Sequence, residues 1–235
     1  NNAYDPSFKR LRQKVLNSKN NFKEFELNLD TKENLESLEK ENIDIVFHLA
    51  ARAGVRQSFL DPISYIKDNS IATTNIANFV KDMKIKTLVL ASTSSIYGDS
   101  GQEEMVEGVN EKIEPPSIYA ASKLSGEVFA KNILEGTESN VVITRFFTVY
   151  GPFGRPDMAY FSFTRSIKEN KLIKLHNNGS MMRDMTFIDD AIDGIVKSVD
   201  LLMNTDSKID NEKFNIGNDS PISTFELLKT LEKYI

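Results

Sequence analysis

The chain has 235 residues, a length that suits one domain or one domain with a small appendage. A net charge of −5 argues against a nucleic-acid groove as the main function, and the absence of cysteine excludes disulfides, a thiol nucleophile and thiolate metal sites. No apolar run approaches the roughly 18 residues that a membrane span needs, and two histidines are too few for a histidine-based metal centre.

The sequence predicts strands and helices that alternate along the chain. Before residue 150, the patterns predict helices over residues 8–16, from Thr31, over 62–84 and over 117–133, and strands over 25–29, 43–50, 87–91 and 141–147. Residues 98–117 are predicted to form a loop. After residue 151 the elements become shorter: helices are predicted over 159–169, over 189–203 and from Thr224, and a short strand over 172–175. Such alternation is typical of an α/β fold with a parallel sheet covered on both faces.

The run YAASK, from Tyr119 to Lys123, stands where the helix over residues 117–133 begins. At four-residue spacing both side chains share one helix face, one turn apart. A free tyrosine has a pKa near ~10, and a neighbouring ammonium lowers that pKa by favouring the phenolate. The pair therefore indicates a tyrosine that works as a base.

Two strands flank this helix in the chain, and each ends in polar groups. Residues 88–98 read LVLASTSSIYG, an apolar strand that runs into a turn rich in hydroxyls, and residues 141–151 read VVITRFFTVYG. Functional groups at strand ends around a helix are typical of sites in open α/β sheets.

Together these motifs resemble the extended short-chain dehydrogenase/reductase family, which includes NAD-dependent sugar-nucleotide epimerases and dehydratases. Residues 145–159 (RFFTVYGPFGRPDMA) and 48–56 (HLAARAGVR) are especially similar to epimerases that act on UDP-glucuronate. The resemblance extends from about residue 4 to residue 218. It implies a Rossmann-type doubly wound parallel sheet, NAD as cofactor, a UDP-sugar substrate, and inversion of carbon 4 from UDP-glucuronate to UDP-galacturonate through a 4-keto intermediate.

The resemblance also implies roles for the catalytic residues. Tyr119 takes the proton from the sugar 4-hydroxyl, and Lys123 lowers the pKa of Tyr119 and holds the nicotinamide ribose. Thr93 matches the family's hydroxyl that hydrogen-bonds the reacting oxygen. In 4,6-dehydratases this threonine is followed by Asp-Glu, and UDP-glucuronate decarboxylases carry a glutamate at the position of Ser95.

Small hydroxyls replace those carboxylates here. Ser94 and Ser95, joined by Thr148, can hydrogen-bond a substrate carboxylate at carbon 5 without repelling it. The alternative is that the two serines only form the turn.

Three arginines are further candidates for substrate binding. Arg155 and Arg183 resemble family positions near the sugar nucleotide, where a guanidinium suits a diphosphate. We favour Arg183 for the diphosphate, whereas Arg155 either shares that role or holds its loop in place. Arg56 serves the substrate or only forms a salt bridge.

The resemblance assigns a second set of residues to the cofactor. The small-residue turn formed by Leu49, Ala50 and Ala51 matches the turn under the NAD ribose and phosphates, and Asn69 matches an asparagine packed near the active site. Asn28, with Leu29 beside it, stands where an aspartate usually contacts the adenine. His48 is interpreted as a structural histidine.

The front of the dinucleotide-binding fold has no counterpart, because the family's first strand, glycine-rich turn and first helix are missing from these residues. We therefore expect a fragment of a longer enzyme, with weak or no NAD binding of its own and an unpaired apolar edge at residues 43–49. The predicted domains are an N-terminally truncated NAD-binding part (1–150) and a C-terminally truncated α/β sugar-nucleotide-binding part (151–235), interleaved with the first.

Two alternatives stay open at this point. One is another sugar-nucleotide epimerase or dehydratase, in particular a C4 epimerase of a neutral UDP-hexose. The other is a non-catalytic binding domain, which the missing glycine-rich turn favours and the intact Thr93, Tyr119 and Lys123 oppose. We also expect a cytoplasmic homodimer that pairs through the helices over residues 62–84 and 119–133.

Overall fold

The computed structural model describes residues 4–98, 104–108, 111–203 and 212–235. The chain folds into two compact units. The larger unit comprises Leu27–Phe147 and Asp189–Gly217, and the smaller unit comprises Asn1–Glu26, Thr148–Ile188 and Asn218–Ile235.

The secondary structure of the described residues alternates as expected for an α/β protein. The helices are α1 (Pro6–Asn17), α2 (Val55–Leu60), α3 (Pro62–Tyr65), α4 (Ala72–Asp82), α5 (Ile118–Leu134), α6 (Ala159–Lys168), α7 (Ile188–Met203) and α8 (Thr224–Tyr234). The strands are β1 (Ile45–His48), β2 (Thr87–Thr93), β3 (Asn140–Phe146), β4 (Thr148–Tyr150), β5 (Met182–Phe187), β6 (Glu212–Ile216) and β7 (Pro221–Ser223). None of these helices combines the length and the apolar character needed to cross a membrane.

A four-stranded parallel sheet, in the order β1-β2-β3-β6, forms the centre of the larger unit. Side chains alternate between its faces, as the period of two in a strand requires. Leu88 and Leu90 of β2 join the core formed with α4 and α5, whereas Val89 joins Ile195 and Val199 of α7 on the opposite face. The predicted parallel sheet with both faces covered is therefore confirmed.

Helices α4 and α5 lie side by side on one face of the sheet. Gly126 lets them approach closely, because a Cβ at this position would lie 3.3 Å from the side chain of Thr73. The hydroxyls of Ser70 and Ser125 are 2.6 Å apart and share a hydrogen bond across the same contact. These contacts fix the position of α5 relative to α4 and to the turn that precedes α4.

The helix predicted over residues 62–84 is present, but its geometry changes along its length. A π-helical turn at Ile66–Ile71 separates α3 from α4. Single π-helical turns inside α-helices occur frequently at functional sites. The turn contains Asn69, one of the residues assigned to the cofactor.

The smaller unit is built around β5. It pairs in parallel with β4 and antiparallel with β7, in the order β4-β5-β7. Helix α8 begins with a capping box in which the Ser223 and Glu226 side chains bond each other's backbone N–H groups. Helix α1 begins at Pro6 with the Asp5 side chain accepting from the Ser7 N–H.

Two predicted strands are wrong. Exposed and partly buried side chains alternate over residues 172–175 and from Glu26 to Leu29, with Phe25 exposed, but neither predicted segment forms a strand. A strand needs a neighbouring backbone for its hydrogen bonds, and among the described residues neither segment has one. Within the part of the chain that the structure describes, strand β1 pairs with β2 alone, and Phe47 and Leu49 are 46% and 52% exposed. The expected apolar edge is thus present.

The two units are interleaved along the chain: Asn1–Glu26 belongs to the smaller unit, and Asp189–Gly217 belongs to the larger one. Strand β6 explains the place of Asp189–Gly217, because it pairs with β3 and extends the parallel sheet.

The turn after β2 depends on a glycine. Gly98 has φ +75° and ψ −151°, and a Cβ there would lie 2.5 Å from the backbone oxygen of Glu114. Only glycine adopts this conformation readily, and the space around it is also filled.

Replacing Gly98 with alanine should therefore lower the free energy of unfolding by about 2 kcal/mol or more. Gly136→Ala is the matched control, because Gly136 also has positive φ (+72°) but nothing within 4 Å of its Cβ position. That variant should cost about 1 kcal/mol. Denaturant unfolding of both variants measures the difference, and equal losses would show that the contact with Glu114 is unimportant.

Candidate active site

The first turns of α5 carry the central pair of the candidate site. The Ser117 hydroxyl caps the helix by accepting from the Ala120 N–H at 3.1 Å. Tyr119 is half-buried, and Lys123, one turn later, is 4% exposed. The helix start predicted from the sequence therefore places the tyrosine–lysine pair as expected.

Lys123 is a buried cation with unused donors. Among the residues that the structure describes, none accepts a hydrogen bond from its ammonium or forms an ion pair with it. Burial lowers the pKa of Lys123 to about 8, and the charge of Glu127 opposes this effect. A buried ammonium is costly without acceptors, so the site fits a ligand that offers oxygen atoms.

The hydroxyl-rich turn lies at the carboxyl end of β2. The Thr93 hydroxyl accepts from the Ser95 N–H at 3.2 Å and caps the short 3-10 helix Ser94–Tyr97. Ser94 and Ser95 are half-buried in the first turn of that helix. Ile96, Tyr97 and Ala120 form one apolar cluster. This cluster holds the turn from Thr93 to Ser95 against the beginning of α5.

Asn69 holds the turn after β1 in place through hydrogen bonds. The Asn69 side chain is 1% exposed; its oxygen accepts from the Arg52 N–H at 2.7 Å, and its nitrogen donates to the Arg52 carbonyl at 3.0 Å. The same nitrogen donates to the Ser122 hydroxyl at 2.9 Å. All polar capacity of this amide is directed at the protein, so Asn69 acts on the turn and on α5. Ala50 is exposed and Ala51 half-buried in that turn.

Tyr65 provides a second link between the same elements. Its hydroxyl donates to the carbonyls of Ala53 and Gly54, at 3.1 and 2.8 Å. Its ring lies edge-on to the Tyr119 ring, with the centroids 6.3 Å apart. The turn after β1 and the face of Tyr119 are therefore positioned by one buried side chain.

The remaining predicted residues of the larger unit are Leu29, Asn28, Arg56 and His48. Leu29 packs against the core, and its carbonyl accepts from Asn75. Asn28 and Arg56 are exposed. His48 is buried, its Nε2 lies 3.0 Å from the Thr73 hydroxyl, and burial lowers its pKa to about 4. This neutral, hydrogen-bonded imidazole supports the interpretation of His48 as structural.

The other predicted residues belong to the smaller unit. Thr148 is half-buried at the start of β4, opposite Met185 of β5. Arg155 donates twice to the Asp157 carboxylate, at 3.1 and 2.6 Å, and thereby braces its own loop. Arg183 is exposed on β5 and donates to the Met182 carbonyl at 2.6 Å.

Sequence analysis missed the ionic residues beneath the sheet end. Glu127 and Arg145 are 4% and 0% exposed and bond each other, and Ser92 bonds Glu127 as well. Two signals were available: Glu127 follows Lys123 by four residues, on the same helix face, and Arg145 interrupts an apolar strand, where a charge needs a buried partner.

Comparison with known proteins identifies relatives along the whole chain. The model of the NAD dependent epimerase/dehydratase family matches residues 3–217. A UDP-glucuronate 4-epimerase from Thermodesulfobacterium geofontis is 37% identical over 237 residues, covering 100% of this chain and 71% of that protein.

Solved structures agree with this relationship. UDP-glucuronic acid 4-epimerase from Bacillus cereus, crystallised with UDP-glucuronic acid and NAD, has a TM-score of 0.83 and 32% identity and covers 97% of this chain and 70% of that chain. MoeE5, crystallised with UDP-glucose and NAD, has a TM-score of 0.74 and 30% identity over 93% of this chain and 66% of that chain. The Rossmann-type fold is thereby confirmed. Since the family model matches nearly all of the sequence, the chain belongs to the NAD-dependent epimerase/dehydratase family.

Proposed function

We propose that this protein inverts carbon 4 of UDP-glucuronate to give UDP-galacturonate, with NAD as its bound cofactor. The observation that carries the proposal is the buried Lys123 one helical turn after Tyr119, in a chain 37% identical to a UDP-glucuronate 4-epimerase over its whole length. The resemblance to the family assigns the role of base to Tyr119 and the role of the neighbouring cation to Lys123.

The residues of the larger unit fit a nicotinamide dinucleotide. The Lys123 ammonium has donors to spare, and ribose hydroxyls are suitable acceptors for them. Leu49, Ala50 and Ala51 form a turn of small or exposed groups, which allows a ligand to approach the backbone. Asn28 and Leu29 are proposed to border the adenine. NAD, when bound, supplies reversible hydride transfer at carbon 4 of the sugar.

The chain's own residues handle the proton. Tyr119, as phenolate, accepts the proton of the sugar 4-hydroxyl and returns it after the sugar has presented its other face. The positive charge of Lys123 stabilises that phenolate. The Thr93 hydroxyl keeps its proton available while its oxygen accepts from the Ser95 N–H, so it can donate to the reacting oxygen.

Specificity for the hexuronate is assigned to neutral hydroxyl groups. Ser94 and Ser95 are half-buried at the carboxyl end of β2, and Thr148 is proposed to join them on the substrate carboxylate. The tripeptide Thr93-Ser94-Ser95 contains no carboxylate that could perform the elimination chemistry of dehydratases. The second candidate is a neutral UDP-hexose, since MoeE5, which is 30% identical to this chain, forms complexes with UDP-glucose as well as with UDP-glucuronic acid.

Each unit is proposed to carry its own set of ligand contacts. The larger unit binds NAD and carries Tyr119 and Lys123, and the smaller unit contributes to the sugar nucleotide. Arg183 is the favoured diphosphate ligand because it is exposed, whereas the Arg155 fork already bonds Asp157. Arg56, exposed on α2, remains a candidate for substrate binding.

A homodimer in the cytoplasm completes the proposal. Exposed apolar side chains lie on the helices expected to pair; they are Ile63, Ile66, Ile71, Val128 and Phe129, each more than 40% exposed. The absence of cysteine supports the cytoplasmic location.

The protein purified from its native source should contain about one NAD per subunit and convert UDP-glucuronate to its C4 epimer. UDP-glucose, supplied under the same conditions, should react much more slowly because it lacks the carboxylate that Ser94, Ser95 and Thr148 recognise. Intact mass, released NAD and nuclear magnetic resonance of the product measure these outcomes. Preferential turnover of UDP-glucose would establish the second candidate, and a folded protein without NAD or turnover would leave a non-catalytic binding domain.

Tyr119→Phe should lower kcat by roughly 100- to 10,000-fold, because the variant has no phenolic group to move the proton. NAD content should stay unchanged, since the ring and Lys123 remain. Tyr234→Phe, which removes the hydroxyl of a tyrosine that is 77% exposed on α8, is the control for the same chemical change. A Tyr119→Phe variant with wild-type kcat would exclude Tyr119 as the base.

Val128→Asp on α5 should convert the dimer to a monomer, because a carboxylate in an apolar interface is costly. Val196→Asp on α7 is the matched control, since the two valines are 48% and 47% exposed. Analytical ultracentrifugation measures the assembly. A monomeric wild-type protein, or equal dissociation by both variants, would contradict pairing through α5.

A further inference from the structure

A buried ionic network lies under the carboxyl end of the parallel sheet. Ser92, Arg145 and Asn215 occupy one row of the strand register, on β2, β3 and β6. Arg145 donates to both oxygens of Glu127, from Nε to Oε1 at 3.1 Å and from Nη2 to Oε2 at 2.7 Å. The Ser92 hydroxyl donates to Oε1 of the same carboxylate. Glu127 is therefore fixed from the sheet, although it belongs to α5.

The positive charge of Arg145 is also compensated on the side away from Glu127. Its Nη1 donates to Glu111 at 2.6 Å and to the Tyr97 hydroxyl at 2.9 Å. Lys213 bonds the other oxygen of Glu111. Hydrogen bonds from Arg145 and Lys213 outweigh burial and hold the pKa of Glu111 below its usual value. Arg145 thus stays paired even when Glu127 loses its charge.

Lys123 has few sources of compensating charge. On its own helix Tyr119 stands one turn before it and Glu127 one turn after it, and His48 of β1 lies close enough for the charge of Lys123 to act on it. His48 is neutral above a pKa of about 4 and bonds Thr73, so it supplies no negative charge. Among the described residues, Glu127 is the carboxylate whose charge acts on Lys123.

We propose that Glu127 is a positioning residue for the reaction: its carboxylate, fixed by Arg145 and Ser92, keeps the buried Lys123 protonated beside Tyr119. This proposal rests on the proposed function, because it extends the roles given there to Tyr119 and Lys123. Glu127 contacts neither substrate nor cofactor in this scheme. It acts through the charge of Lys123.

The direction of the effect follows from burial and charge. Burial favours the neutral amine of Lys123, and the carboxylate of Glu127 favours the ammonium. Without that carboxylate the pKa of Lys123 falls farther, and a larger fraction of the protein holds a neutral amine at any given pH above it. A neutral amine does not stabilise the Tyr119 phenolate. The loss of activity should therefore grow as the pH rises.

Glu127→Gln tests the proposal because it keeps the shape of the side chain and an oxygen acceptor but removes the charge. The protein is prepared with ¹⁵N- and ¹³C-labelled lysine, and the Lys123 signal is assigned by its absence in Lys123→Arg. The Lys123 titration should move to lower pH in Glu127→Gln. Glu111→Gln is the matched control: it removes another carboxylate from the same arginine and should leave the Lys123 titration in place.

A kinetic measurement separates this role from a purely structural one. In Glu127→Gln, the alkaline limb of the kcat profile should move to lower pH, with a loss of about 10-fold near pH 8 that becomes smaller toward pH 6. An equal loss at all pH values, with an unmoved Lys123 titration, would overturn the proposal and leave Glu127 a structural residue. The titration needs no substrate, so it decides this point even if the proposed epimerisation fails.

The wild-type chain provides a second measurement if Glu127→Gln does not fold. Lys123 must hold its proton at pH 7 in the folded wild-type protein, and its titration midpoint must lie above that pH. A neutral Lys123 at pH 7 would overturn the proposal directly.

Discussion

The candidate site depends on the burial of one positive charge. Lys123 lies on the inner face of α5, 4% exposed, and an ammonium in that position is tolerated only where negative charge and acceptors are close. From Lys123 the charges alternate through Glu127, Arg145 and Glu111 to Lys213. The inner side chains are almost fully buried, at 4% for Glu127 and 1% for Arg145, and the outer ones are more exposed, at 15% for Glu111 and 29% for Lys213. The network connects the tyrosine–lysine pair to the strands below it.

The parallel sheet makes this arrangement possible because its strands end at a common edge. Thr93 ends β2 where Phe146 ends β3, one row beyond Ser92 and Arg145. Ser92 and Arg145 bond Glu127 and thereby hold α5, whereas Thr93, one residue later on β2, caps the turn that follows the strand. Successive residues of one strand thus serve the helix and the turn, because their side chains point to opposite faces.

Sequence patterns predicted those features that depend on local periodicity or on short motifs. The α5 start, β2, β3 and the Tyr119–Lys123 pair were obtained in this way, since spacing alone sets a helix face. The strands predicted over residues 25–29 and 172–175 were wrong because a short segment rich in apolar residues resembles a strand, and its pairing with a neighbouring strand is not visible in the sequence of that segment alone. The bond between Glu127 and Arg145 joins residues 18 positions apart and requires the packing of α5 on β3. Asn69 was recognised by resemblance, but its hydrogen bonds to Arg52 and Ser122 follow only from the fold.

The π-helical turn at Ile66–Ile71 determines how α3 is rotated about the helix axis relative to α4. A π-helical turn holds one residue more than an α-helical turn, and each residue of an α-helix advances the direction of the side chains by about 100°. Deletion of a single residue from this turn would restore a regular helix and rotate α3 by that angle relative to α4. Tyr65 would then leave the carbonyls of Ala53 and Gly54. The extra residue therefore sets the rotation of α3. The number of residues in this turn is as constrained as their identity.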